Sequence, residues 1–589
     1  MKEVKVLDSY YINAFNKEME YLKEYEVDRL LAGFLETKGL EPKAVKYPGW
    51  EDTEIRGHTM GHYLVALSQA YENSNDEEIL RRINYIIDEL EDCQFDNGYL
   101  SAFPETLFDN VEKSQPAWVP WYTMHKIISG LIAVYKYTDN KKAYNIVDKL
   151  GNWVYERSSK WSKDMQDTVL AVEYGGMNDC LYDLYKITGK EKHAIAAHRF
   201  DEINLFTDIR EGNDILNDKH ANTTIPKFLG ALNRYTSLGG KEEFYLKSAE
   251  NFWDIVVNNH TYITGGNSEW EHFGQPNILD KERTECNCET CNTYNMLKLS
   301  RELFQITGEV KYADYYENTV INAILSSQNP ETGMTTYFQP MATGFFKVYS
   351  KPFENFWCCT GTGMENFTKL NDSIYFYDEK NNLFINQYVS SILTWKENNI
   401  KITQESNIPV GNNTKLTIET INGEEVNANI KVRIPDWVVG NAEVKINGEK
   451  AQNIVSNGYI NLNRNWVNGD IIDVTLPMEV KAFPLDDNKY SVAFKYGPIV
   501  LSAALGTEDM IETTTGVEVS IPTKNIEIKD FIKVNGDRDK WLQNIGSNLV
   551  RNGEKLEFTL KNVNEGNNLV FTPHYKQYKE RYGIYWNIV

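Results

Sequence analysis

Two spacings of apolar residues divide this chain near residue 380. Before it the spacing is helical: Ile127, Ile128, Leu131, Val134 and Tyr135 form one stripe, and Ala143, Ile146, Val147, Leu150 and Val154 form another. The turn Tyr137-Thr138-Asp139-Asn140 separates them. The same helix–turn–helix recurs around Ile187-Thr188-Gly189-Lys190, Leu238-Gly239-Gly240-Lys241 and Ile306-Thr307-Gly308-Glu309. Turn positions 138, 188 and 238 lie 50 residues apart, and the next, 307, comes 69 later. A fixed period of two helices and a short turn predicts a helical-hairpin array, either an open solenoid or a closed α/α toroid. The 19 extra residues of the last interval hold a Gly265-Gly266 loop and a cysteine group, and an insertion in a regular scaffold is where function concentrates.

Beyond 380 alternation takes over, as in Leu416 and Ile418, then Val426, Ala428, Ile430, Val432 and Ile434. Asn-Gly pairs, the preferred dipeptide of tight hairpins, begin at 422, 447, 457, 468, 535 and 552. The expected plan is therefore α+β and multidomain. Residues 1–380 form a helical catalytic domain, and 381–589 an all-β sandwich region of one or two sub-domains. No Pro/Ser/Gly-rich linker separates them, so they are expected to pack firmly. A helical toroid followed by a sandwich is a plan shared with carbohydrate-active enzymes, by analogy of fold alone.

The chain holds 589 residues, more than one hydrophobic core encloses. Against 84 Asp and Glu stand 61 Lys and Arg, a net charge of −23 that would repel a phosphate backbone or an anionic bilayer. No nucleic-acid or membrane partner is expected. No run approaches the ~18 apolar residues of a membrane span, and the first residues are charged and amphipathic, without the apolar core of a leader. These features predict a soluble, cytoplasmic protein. The 36 Tyr, 25 Phe and 13 Trp suit large cores, and a fraction of them would suit a cleft for a hydroxylated ligand such as a sugar.

Seven cysteines in a chain without a secretion signal argue against a disulfide framework. Cys93 and Cys180 stand alone in apolar helical patterns and read as small buried hydrophobes. The others form two groups: Cys286, Cys288 and Cys291, and the adjacent Cys358 and Cys359. Glu289-Thr290-Cys291 with Cys358-Cys359 offers one carboxylate and three thiolates, a donor set that Zn2+ favours. Glu289 and Cys291 can aim at one point before the helix expected over Asn292 to Phe304, and a bent loop can turn two vicinal sulfurs toward one ion. Cys286 and Cys288 are rival ligands. A closed structural zinc, or a set of buried thiols, fits the same residues.

Among the carboxylates only context discriminates. The stretch Thr264 to Phe273 is Gly-rich, aromatic and acidic, and Glu269, Glu271, Glu282 and Glu285 compete for a general-acid role against a reading as solvated loop charge. His58 and His62 are four apart and share a helix face. His125 and His220 each start an apolar helix, where they either meet a ligand in the cup of a toroid or cap the helix. No HExxH and no P-loop is present.

Three stretches carry a family resemblance: Gly265-Gly266-Asn267-Ser268 with Glu271-His272-Phe273, Glu289-Thr290-Cys291-Asn292-Thr293-Tyr294-Asn295, and Phe356-Trp357-Cys358-Cys359-Thr360-Gly361-Thr362-Gly363. They resemble the β-L-arabinofuranosidases of glycoside hydrolase families 127 and 146, family 146 more closely. The likeness extends to Arg56-Gly57-His58, Tyr174-Gly175-Gly176-Met177-Asn178 and Arg581-Tyr582 with Tyr585-Trp586. It implies an (α/α)6 barrel with C-terminal β-sandwich domains, and Zn2+ held by Glu289, Cys291, Cys358 and Cys359. It further implies Cys358 as nucleophile and Glu271 as acid/base, with His125, His220 and Tyr337 contacting substrate and His58 a weaker match. Met177 stands where some members carry a histidine, and Cys286 and Cys288 lie outside the pattern.

The function this implies is retaining exo-hydrolysis releasing β-L-arabinofuranose from plant glycans or arabinose-containing oligosaccharides. A thiolate attacks the anomeric carbon while a carboxyl group protonates the leaving oxygen. The competing readings are a glycosidase for another L-configured or acidic sugar, a polysaccharide lyase, and a glycan-binding protein with structural zinc.

Overall fold

Six helices with buried residues on nearly every face line the centre of the N-terminal part: His58–Ser74, Pro120–Thr138, Met177–Thr188, Ala221–Ser237, Thr290–Thr307 and Cys358–Phe367. A helix apolar all round must be covered all round. Each of these packs on the next, and the Cys358 helix packs back on the His58 helix, which closes the ring. Five outer helices follow their inner partners through short turns: Glu77–Cys93, Lys141–Ser158, Glu191–His198, Glu243–Asn259 and Val310–Thr319. The sixth outer position, against the Cys358 helix, is filled by Ser9–Glu24 from the start of the chain. That return of the N-terminal helix makes the array a closed (α/α)6 toroid rather than an open solenoid. This computed structural model describes residues 3–451, 454–510 and 529–589, so Met1 and Lys2 of the charged first stretch lie outside it.

The repeated turns have a common cause. Gly189 (φ 63°) and Gly308 (φ 67°) end their inner helices in the left-handed conformation, each donating its N–H to the carbonyl four residues back. A left-handed residue cannot continue the helix, so the chain reverses there.

Strands begin at Tyr375. A seven-stranded sheet, which the N-terminal strand Val4–Val6 joins by pairing with Ser391–Trp395, shares one core with a five-stranded sheet. Ile402, Leu416 and Ile418 of the first meet Ile430, Val432 and Leu462 of the second in that core. Alternation places these residues inward. Asn447-Gly448 and Asn457-Gly458 take left-handed φ in two-residue hairpin turns, as their sequence demands. Among the described residues from Val480 onward, the strands hydrogen-bond into a ten-stranded sheet around its own core of Phe494, Leu501, Trp541, Phe558, Phe571 and Trp586. Among the described residues, no helix is long and apolar enough to cross a membrane.

Polar contacts join the β region to the barrel, among them two clusters. Fully buried Arg433 bonds Asp314 and lies 2.6 Å from Glu317, both on the outer helix Val310–Thr319, and donates to the Asn386 carbonyl. Asp487 accepts the backbone N–H groups of Leu279, Asp280 and Lys281 at 3.2, 2.9 and 3.2 Å, gripping the insertion that the 69-residue interval announced. Removing the guanidinium would leave buried Glu317 and half-buried Asp314 without their cation, which costs ~3–5 kcal/mol where a buried pair is broken. An Arg433→Met variant is therefore expected to unfold at clearly lower urea concentration. An unchanged midpoint would show that the ion pair adds nothing to the interface.

Candidate active site and ligand cluster

Two adjacent inner helices begin at the same point. Glu289 is the N-cap of Thr290–Thr307 and Cys291 sits in its first turn, while Cys358 and Cys359 open Cys358–Phe367. Their four donor groups lie within 4.8 Å of one another, and all are buried. Cys291 and Cys359 sulfurs are 3.2 Å apart, Cys358 and Cys359 4.0 Å, and the Glu289 Oε1 lies 3.6 and 3.7 Å from Cys358 and Cys359. A tetrahedron of sulfurs bonded at ~2.3 Å to a central cation has edges of about 3.7 Å. The observed separations bracket that value.

The electrostatics support the same fit. Burial pushes Cys291, Cys359 and Glu289 well above their ordinary ranges. Burial also opposes ionisation of Cys358, but hydrogen bonds from Cys291, Cys359 and Tyr337 overcome it and hold this thiol well below the ordinary range. Two helix N-termini add partial positive charge. Burial therefore opposes the build-up of negative charge on these groups. Full deprotonation of four acids needs a counter-ion, and the buried Glu289 Oε2, which has no partner, marks an unsatisfied acceptor. The donor set fits a thiophilic divalent cation.

Beside the cluster opens a cavity of about 260 Å³, lined by Trp50, Trp118, Tyr122, His220, Glu271 and Cys358 among others. Cys358, 4% exposed, is the cluster member on its wall. Glu271 reaches it from a two-residue turn closed by mutual backbone bonds between Glu269 and His272, both 3.0 Å. The turn's central residues, Trp270 (φ 42°) and Glu271 (φ 69°), are both left-handed, a conformation that normally selects Asn-Gly. Bonds from Ala221 N to the Glu271 carbonyl and from Phe273 N to the Lys219 carbonyl tie the turn beside His220. The Tyr337 hydroxyl donates to Glu271 and lies 3.6 Å from the Cys358 sulfur, so one phenol touches both groups. Burial raises the Glu271 carboxyl above its usual range, against lowering by His220 (Nε2 at 3.8 Å) and Tyr337.

The remaining sequence candidates lie elsewhere. His58 is fully buried behind Trp50, its Nδ1 3.1 Å from the Ile55 carbonyl and 3.2 Å from Glu51. His125 accepts the Gly176 N–H at Nδ1 (3.1 Å) and lines a separate 390 Å³ cavity along the barrel axis. His62 bonds Glu365 at 2.5 Å. Glu269 accepts from Thr284 and Glu282 from Gln275, both away from the cavity. Cys286 and Cys288 do not join the four-donor group; Cys288 packs against Gly266, where a Cβ would approach its sulfur to 2.7 Å. Cys93, Cys180 and Met177 are buried. Sequence reasoning missed Trp50, Trp118, Tyr122 and Glu173, although Glu173 directly precedes the Tyr174-Gly175-Gly176 motif.

Residues 3–372 match the family profile described as β-L-arabinofuranosidase, GH127 catalytic domain, and 382–478 that of the GH127 middle domain. The chain belongs to the GH127 β-L-arabinofuranosidase family. Residues 481–588 match a domain of unknown function. Among curated proteins, the chain is 21% identical over 280 residues to the non-reducing end β-L-arabinofuranosidase of Bifidobacterium longum subsp. longum. That stretch is 44% of this chain and 42% of the relative, so the match spans less than half of either. Two solved GH127 structures share the fold over the whole chain. One is a β-L-arabinofuranosidase from Geobacillus stearothermophilus T6 (TM-score 0.74, 16% identity, 100% of that chain). The other is a β-arabinofuranosidase (TM-score 0.74, 19% identity, 97% of that chain).

The geometry singles out one thiol. Brief iodoacetamide treatment of the native protein is expected to modify Cys358 ahead of the other six cysteines, read by peptide mass spectrometry. Preferential labelling of Cys286 or Cys288 would contradict the placement of the cavity.

Proposed function

We propose that this GH127 member is a retaining exo-glycosidase releasing β-L-arabinofuranose from arabinose-containing glycans, with Cys358 as nucleophile and Glu271 as acid/base. The observation that carries the reading is a single phenol, Tyr337, in contact with both groups across one small cavity. Two contacts through one oxygen keep sulfur and carboxylate closer than the ~6.5–9.5 Å that inverting enzymes need to admit a water. Direct attack by sulfur fits that gap.

Zn2+ would be held by Glu289, Cys291, Cys358 and Cys359, and when bound it supplies the positive charge that keeps the cluster deprotonated. Cys358 attacks the anomeric carbon and Glu271 passes its proton to the glycosidic oxygen, so the aglycone leaves as an alcohol. Glu271, now ionised, takes a proton from water, and the hydroxide displaces sulfur to return the sugar with its configuration retained. His220, beside Glu271, and Tyr337 would orient the sugar. His125 and His58, which do not line the 260 Å³ cavity, would act through the backbone they hold near Gly176 and Ile55. Residues 1–380 carry the chemistry in this reading, and 381–589 buttress it. Seven free thiols support a reducing, cytoplasmic setting.

The test is hydrolysis of p-nitrophenyl β-L-arabinofuranoside alongside elemental analysis. Purified protein is expected to hold one zinc per chain and to lose activity with chelator; absence of either the ion or hydrolysis would sink the assignment. Glu271→Gln should cut turnover of unactivated glycosides by ~10²–10⁴ with zinc content unchanged.

The pH profile follows from burial. A general acid works only while protonated, so kcat/KM falls as pH rises through the raised Glu271 value. Tyr337 stabilises the ionised form, so Tyr337→Phe should move this alkaline limb to higher pH. A limb displaced downward would refute the assigned hydrogen bond.

A further inference from the structure

The turn that presents Glu271 holds a second residue whose presence its conformation does not explain. Trp270 occupies the first central position at φ 42°, where a bulky side chain is strained and glycine or asparagine is favoured. Burial does not compensate: Trp270 is 49% exposed, the largest side chain among the exposed hydrophobic residues described. Its backbone is pinned by a 3.0 Å bond from its N–H to the Cys286 carbonyl and a 2.6 Å bond between its carbonyl and His272 Nδ1. The indole meets Phe338 edge to face at 5.9 Å, and Phe338 meets Tyr337 at 4.7 Å. A chain of ring contacts thus runs from the phenol that touches Glu271, through buried Phe338, out to the exposed indole. Left-handed φ is tolerated in non-glycine residues where function requires the side chain. For Glu271 that requirement is proton transfer.

We propose that Trp270 is a specificity-determining residue, a platform for the sugar ring of the aglycone, so that the enzyme favours arabinofuranosides linked to a further sugar. This rests on the acid/base reading of Glu271. A general acid must contact the glycosidic oxygen, and the group leaving with that oxygen therefore departs past residue 271. The next side chain along the turn is Trp270. Its ring offers a flat apolar face to the C–H face of a pyranose or furanose.

The test compares an arabinofuranoside with a sugar aglycone against methyl β-L-arabinofuranoside, both on the full chain. Trp270→Gly is expected to raise KM about tenfold for the first, the range of one aromatic contact, and to leave KM for the methyl glycoside unchanged. Its thermal midpoint should hold or rise, because glycine relieves the turn, whereas a structural role would lower it. Trp270→Phe should restore most of the lost affinity. Equal effects on both substrates, or an unchanged KM for the longer one, would overturn the platform while leaving the catalytic reading intact. Failure of the wild-type protein to cleave either substrate would overturn both.

Discussion

Three thiols and a carboxyl group, removed from water and held within 4.8 Å of one another, set the electrostatic constraint around which the barrel is organised. Acids so confined either retain protons or gather a counter-charge. Two helix N-termini supply part of it, and the placement of Glu289 and Cys358 at those termini is what an (α/α)6 ring makes possible: its inner helices all begin on one rim. A bound cation would be a folding ligand as well as a chemical one, because it would join segments 67 residues apart (Cys291 and Cys358) that otherwise meet through packing and hydrogen bonds such as that from Tyr294 to Glu365.

The second constraint is conformational. Glu271 is held at the cavity by a turn that is left-handed at both central positions and tied on three sides: to Ala221 and Lys219, to Cys286, and through the following loop to Asp487. The Tyr337 hydroxyl then couples this turn to the thiol cluster. Glu271 and Cys358 are thus set by one hydrogen-bonded unit rather than by two independent loops.

Much of this was legible in the sequence. The 50-residue period and its glycine turns gave the helical hairpins, since an αL cap is written in residue type. Alternation and Asn-Gly pairs gave the β region. The cluster was legible because thiols and carboxylates at such spacing have few other uses. Toroid closure was not legible from periodicity, because the sixth outer helix comes from residues 9–24, outside the repeat. Glu269 and Glu271 could not be separated by spacing alone, since a strained turn, unlike a helix, leaves no periodic trace. His125 read as either ligand-facing or capping from its place near a helix start, and His58 as substrate-contacting from the family resemblance alone; neither lines the smaller cavity. Trp50 and Trp118 carried no signal distinguishing a wall from a core.

The grip of Asp487 on residues 279–281 has a bearing on how the protein comes into being. The aspartate is translated some two hundred residues after the loop it fastens. A nascent chain with its barrel already assembled would still present Glu271 on an unfastened segment. The fastening of that segment is then completed late in synthesis, when the terminal sheet supplies Asp487.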